Sequence, residues 1–105
     1  MIREKDVERL LRKKVEKAGG LCLKFISPGW SGAPDRLCLF PGGRLVFVEI
    51  KRPGERPRPL QEARHRALRS MGFKIVVLDD PGRITSFLEE VVENANDGGG
   101  VVVKP

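Results

Sequence analysis

A chain of 105 residues is long enough for one compact domain and too short for two. It is 40% hydrophobic but has no run of about 18 apolar residues, and it opens on the charged stretch Met-Ile-Arg-Glu-Lys-Asp. Neither a membrane span nor a signal peptide is expected, and a soluble cytoplasmic protein is the default expectation. Cys22 and Cys38 are the only cysteines. They lie in apolar stretches with no zinc-type spacing, so they read as reduced core residues. The net charge of +6 is concentrated: residues 51–74 carry eight Lys or Arg against Glu55 and Glu62. Residues 79–97 reverse the balance with six acids against Arg83. A polyanion is the partner such a segment suits; a merely solvated basic face is the plainer alternative.

In chain order, residues 3–18 predict a helix. Val7, Leu10, Leu11, Val15 and Ala18 form its apolar stripe, and Gly19-Gly20 stops it. Residues 21–26 read as a strand and 27–34, Ser-Pro-Gly-Trp-Ser-Gly-Ala-Pro, as a loop. Strands follow at 36–40 and 45–50, joined through Pro41-Gly42-Gly43-Arg44. Three prolines keep 52–59 irregular, and Pro59 suits the first turn of a helix. In that helix Leu60, Ala63, Ala67, Leu68 and Met71 share a face, and Gly72 ends it. A strand at 73–78 and a last helix carrying Ile84, Phe87, Leu88, Val91, Val92 and Ala95 complete the order α-β-β-β-α-β-α. The strand-helix-strand unit over 45–78 calls for a parallel pair, so the sheet is expected to be mixed and flanked by helices. One domain over 1–96 is expected. Residues 97–105 form either a flexible tail or, through their valines, an edge strand.

Chemistry concentrates in Pro34-Asp35 and Glu49-Ile50-Lys51. Residues two apart on a strand share a face, so Glu49 and Lys51 project together. A three-residue loop at 41–43 sets Phe40 against Arg44 and Asp35 against Glu49, whereas a two-residue loop sets 35 against 50 and turns it to the wrong face. An odd loop or a bulge is therefore required, and Gly42-Gly43 permits either. Two converging carboxylates can hold Mg²⁺ together with water and phosphate oxygens. Lys51 would orient the attacking water or stabilise charge at phosphorus. The plainer alternative is a strand-end salt bridge between Glu49 and Lys51.

The stretches "GAPDRLCLFPGGRLVFVEIK", "KFISPGWSGAPDR", "VEIKRPG" and "PLQEARHRALRSMGF" resemble the virus-type replication-repair nuclease (VRR-NUC) domain of the PD-(D/E)xK, restriction-endonuclease-like superfamily. The resemblance runs from about Glu4 to Leu78. It implies an α/β fold with an α-β-β-β-α-β core and a Mg²⁺- or Mn²⁺-dependent DNA endonuclease. It implies Asp35 and Glu49 as metal ligands, the carbonyl of Ile50 as a further one, Lys51 as the catalytic lysine, and Gln61 near the active site or the DNA backbone. A first-helix glutamate is also implied. Glu4, near the middle of the apolar stripe, matches best; Glu8, at the stripe's edge, is the alternate.

Around this centre, Arg52, Arg56, Arg58, Arg64, Arg66 and Arg69 are candidate phosphate contacts, with Lys24 and Arg36 flanking. Trp30 is a candidate to stack on an unpaired base, or else to plug an interface or cap the core. His65 is expected on the polar side of its helix, at the surface; a histidine base in a one-metal nuclease is the alternative. Stand-alone members of the family resemble small Holliday-junction resolvases, which implies a homodimer acting on branched DNA, of phage or bacterial setting, without a small-molecule cofactor or a membrane. The competing readings are a non-catalytic nucleic-acid-binding module and a nuclease that depends on a partner.

Overall fold

The structure, a computed structural model, describes residues 2–96, with side chains up to Val91. The expected tail at 97–105 and the side chains of Val92 and Ala95 lie outside the described residues. The order is α1 (Glu4–Lys17), β1 (Leu21–Lys24), β2 (Arg36–Phe40), β3 (Arg44–Ile50), α2 (Pro59–Ser70), β4 (Lys74–Leu78) and α3 (Gly82–Asn96). Every expected element is present. Among the described residues no helix is long and apolar enough to cross a membrane.

The four strands lie in the order β1-β2-β3-β4, with β1-β2 and β2-β3 antiparallel and β3-β4 parallel. The mixed sheet follows from its connections. A short loop can only reverse the chain between β2 and β3, while α2 carries it back to start β4 in the same direction as β3. Strand β1 ends two residues earlier than the sequence predicts, because its partner β2 begins only at Arg36. Phe25 keeps a single bond, its N–H donating to the Asp35 carbonyl at 2.8 Å.

One sheet face is closed by α1 and α3. Val7, Leu11 and Val15 of α1 and Ile84, Phe87 and Val91 of α3 pack on Cys22, Cys38, Phe40, Val46, Val48, Ile50 and Leu78. Each fully buried aliphatic side chain contributes about 1.5–3 kcal/mol, so this layer holds the domain together. Both cysteines are free and buried, as expected. The other face carries a smaller cluster of Phe47, Leu68 and Ile75, with Phe25, Trp30, Leu37 and Leu45 against it, under α2. Leu21, Leu23 and Phe73 remain exposed.

Helix α2 corrects one expectation. Leu60 and Met71, placed by periodicity on its apolar face, are exposed, and the residues turned inward are His65 and Leu68. The helix is rotated because the sheet beneath it is not wholly apolar: Glu49 lies there, and a polar stripe meets it.

Candidate active site

The site is built on the α2 side of the sheet at the end of β3. Pro41, Gly42 and Gly43 separate Phe40 from Arg44, which face each other, and both glycines have positive φ (89° and 77°), a region that L side chains rarely adopt. This odd loop sets the register in which Arg36 faces Val48. One step further, Asp35 falls beside Glu49, on the opposite face from Arg36. The Ile50 N–H donates to Asp35 Oδ2 at 3.2 Å, so the aspartate is held by the strand whose end it faces.

Glu49 is 2% exposed. Gln61 Nε2 donates to its Oε2 at 3.3 Å, and His65 Nε2 lies 3.2 Å from its Oε1. The amide of Gln61 is itself oriented, since its Oε1 accepts the Arg58 N–H at 2.8 Å and leaves the NH₂ group to face Glu49. That same bond caps the start of α2, so one residue serves the helix and the site. Burial, and then the neighbouring Asp35 carboxyl, push the Glu49 pKa up to about 8, with Lys51 opposing and the charge of Glu4 adding to the rise. His65 is 2% exposed, and burial followed by the charge of Arg69 lowers its pKa, which favours the neutral imidazole.

Lys51 is 8% exposed and forms an ion pair with neither Glu49 nor Asp35. The simple strand-end salt bridge is therefore not what these residues make. Asp35 Oδ1 is buried without a hydrogen-bond partner. A buried carboxyl oxygen left so beside a second carboxyl is costly unless a donor or a cation meets it. Among the described residues no three His, Cys, Asp or Glu side chains gather as a ready-made cage. Two carboxylates and a main-chain oxygen nonetheless suit a hard cation that keeps much of its water, as Mg²⁺ does.

The remaining candidates divide. Glu4 is exposed at the first turn of α1, in line with Val7, Leu11 and Val15 but at the open end of their stripe, and its charge reaches both Glu49 and Arg52. Glu8, the alternate, instead pairs with Arg36 on the α1 side of the sheet. Arg36 is thus corrected from a flanking surface cation to a mostly buried partner of α1, its side chain 12% exposed. Lys24, opposite Arg36 in the β1-β2 ladder, is exposed on that same side, away from the two carboxylates.

Trp30 is half-buried against the second cluster. Arg64 stacks on its ring at 4.7 Å and donates from Nε to the Ser31 carbonyl at 2.7 Å, so the tryptophan caps the core under an arginine. Arg52 pairs with Glu55 at 2.9 Å, and Lys74 pairs with Glu90. Arg69 donates to the Ile75 carbonyl at 3.2 Å. Arg56, Arg58 and Arg66 form no ion pair among the described residues and stay exposed. Arg56, Arg66 and Arg69 line one cleft of about 410 Å³ beside α2, with His65 also in its wall.

His65 is the site residue that sequence reasoning missed. A signal was present: it stands four residues after Gln61, and positions i and i+4 share a helix face. A single histidine among arginines on a helix otherwise reads as surface.

A mixed sheet carrying two acids and a lysine at one strand end, backed by a helix glutamine, defines a nuclease of the restriction-endonuclease-like class. No family model matches the chain. It is 47% identical over 79 residues to "Putative nuclease p44" of Acyrthosiphon pisum secondary endosymbiont phage 1, a match covering 75% of this chain and 85% of that protein. A solved structure described as a VRR_NUC domain superposes with a TM-score of 0.80 at 31% identity, over 85% of this chain and 97% of that one. The chain belongs to the VRR-NUC family of nucleases.

Proposed function

We propose that this nuclease is a divalent-metal-dependent endonuclease that hydrolyses phosphodiester bonds in branched DNA. The observation that carries the reading is the pairing of Asp35 with the buried Glu49, in which Asp35 Oδ1 has no partner and Lys51 pairs with neither acid. Asp35, Glu49 and the Ile50 carbonyl would hold Mg²⁺, or Mn²⁺ in its place, with Glu4 reaching in from α1. When bound, the ion supplies Lewis-acid polarisation of the scissile phosphate and lowers the pKa of a water.

The chain's own residues do the rest. Asp35, held by the Ile50 N–H, and Glu49, oriented by Gln61, present their remaining lone pairs to the site. Lys51 orients the attacking water and offsets the negative charge that grows on phosphorus as the new P–O bond forms. The proton of the attacking water passes to bulk water, the opposite P–O bond breaks, and the departing alkoxide takes a proton from solvent. Arg56, Arg66 and Arg69 in the cleft beside α2, which Glu55, Glu62 and Asp79 also line, would contact phosphates together with Arg52 and Arg58 of the preceding loop. Phosphate contacts position without reading bases, and a domain this small suits recognition of branched shape. A homodimer would present two sites to the two strands of a junction. The exposed Leu21 and Leu23 of the edge strand β1 offer an apolar edge that would suit such pairing.

The test is cleavage of a labelled four-way junction, a flap and a linear duplex, each with Mg²⁺, Mn²⁺ or a chelator. Metal-dependent symmetric nicks on the junction are expected. Lys51→Ala and Asp35→Ala should each lower the rate by at least about 100-fold while junction binding persists. Cleavage of the flap alone would replace the substrate. Tight binding with no cleavage in either metal would leave a binding module.

A further inference from the structure

We infer that His65 is a positioning residue for Glu49: its Nε2–H fixes the orientation in which the carboxylate is presented to a divalent cation. The inference rests on the metal-dependent reading and adds to it a residue that does not itself touch metal or substrate.

Three observations carry it. First, His65 is 2% exposed, and its Nε2 lies 3.2 Å from Glu49 Oε1. A polar ring placed so deep needs its bonds satisfied, and this is the contact the ring makes to a side chain. Second, the contact is half of a two-point hold. Gln61, one helical turn earlier, donates to the other oxygen of the same carboxylate at 3.3 Å, and its amide is turned that way by the Arg58 N–H. Held at both oxygens from one helix, Glu49 loses rotation about its terminal bond. Its remaining lone pairs are left beside the neighbouring Asp35 carboxyl, whose own Oδ1 has no hydrogen-bond partner. Third, α2 gives up apolar packing to make this arrangement. It turns His65 inward while Leu60 and Met71 stay exposed.

As a ligand Glu49 is ionised and can only accept, so the imidazole must carry its proton on Nε2. Partners that hold a metal ligand from behind typically change metal affinity by about 10- to 100-fold when removed.

The test is Mn²⁺ binding to the DNA-free protein, read from the electron paramagnetic resonance signal of the free ion. Circular dichroism and thermal melting check the fold. Wild type is compared with His65→Gln, His65→Asn and His65→Leu, and with Asp35→Ala to identify the site. Glutamine places an amide N–H at nearly the reach of imidazole Nε2; asparagine is polar but too short. We expect His65→Gln to bind within about 3-fold of wild type, with His65→Asn and His65→Leu weaker by about 10- to 100-fold. Should His65→Leu fail to fold, the Gln and Asn pair carries the same comparison. Equal affinity in the Gln and Asn proteins, whether both strong or both weak, would reduce His65 to packing and overturn the inference. So would wild-type affinity in a folded His65→Leu protein. If wild type binds no Mn²⁺, or Asp35→Ala binds it unchanged, the metal-site reading itself fails and this role falls with it.

Discussion

Replacing Glu49 with glutamine removes a charge that the fold opposes, and the metal-free protein should become more stable above neutral pH. The Glu49 carboxyl is 2% exposed, and burial followed by Asp35 raises its pKa from the usual 4.5 to about 8. The sign follows from proton counting. Below pH 4.5 both folded and unfolded chains hold the proton, and the full stability is present. Between 4.5 and 8 only the folded chain holds it, so stability falls as pH rises through that window and levels off above it. At ~1.4 kcal/mol per pH unit the window sets a ceiling of about 5 kcal/mol; relaxation and entering water reduce this to about half. Glutamine keeps the shape but not the charge. His65 can exchange tautomers to accept from the new amide, so the polar contacts cost about 1 kcal/mol at most. The net gain at pH 9 is then ~1–3 kcal/mol, or roughly 5–20 °C for a domain of this size. Thermal melts in chelator at pH 5, 7 and 9 measure it. The variant should match or fall slightly below wild type at pH 5 and exceed it at pH 9. Parallel pH profiles, or a less stable variant at pH 9, would refute the claim that this carboxylate is held against its charge.

Three further outcomes are expected. Arg36→Ala strips Glu8 of its partner on the α1 side of the sheet, and should cost about 1–3 kcal/mol in urea unfolding while DNA affinity stays unchanged. Combining it with Glu8→Ala should recover part of that loss. Arg56→Ala and Arg66→Ala should each weaken DNA binding without regard to sequence and lower the slope of log affinity against log salt by about 1, measured by fluorescence anisotropy. Arg64→Ala removes the guanidinium stacked on Trp30 and should shift the single tryptophan's emission to the red as the ring gains water, with a stability loss of about 1–2 kcal/mol.

Much of the site was open to reading before any tertiary contact was known. Alternation placed Glu49 and Lys51 on one face, and the demand that Asp35 join them required an odd hairpin loop. The loop has three residues, with two glycines at positive φ. Gln61 could be placed at the start of its helix but not given a partner. Glu8, Arg36, Trp30 and His65 were read against their flanking sequence alone, and each is decided by a side chain far along the chain: Arg36 by Glu8, Trp30 by Arg64, His65 by Glu49.

What the sequence alone determined is the set of elements, their order and the mixed sheet, because apolar periodicity, glycine and proline act over a few neighbouring residues. It also determined which acids and which lysine share a strand end, since a strand's period of two leaves no choice once the hairpin is set. The tertiary structure decided which polar groups are engaged and which remain available. A hydrogen bond or an ion pair forms only where two elements bring its partners within about 3 Å, and nothing in local spacing encodes that distance. Thus α2 turned its lone histidine inward rather than its leucine and methionine, because the sheet beneath it offered a carboxylate.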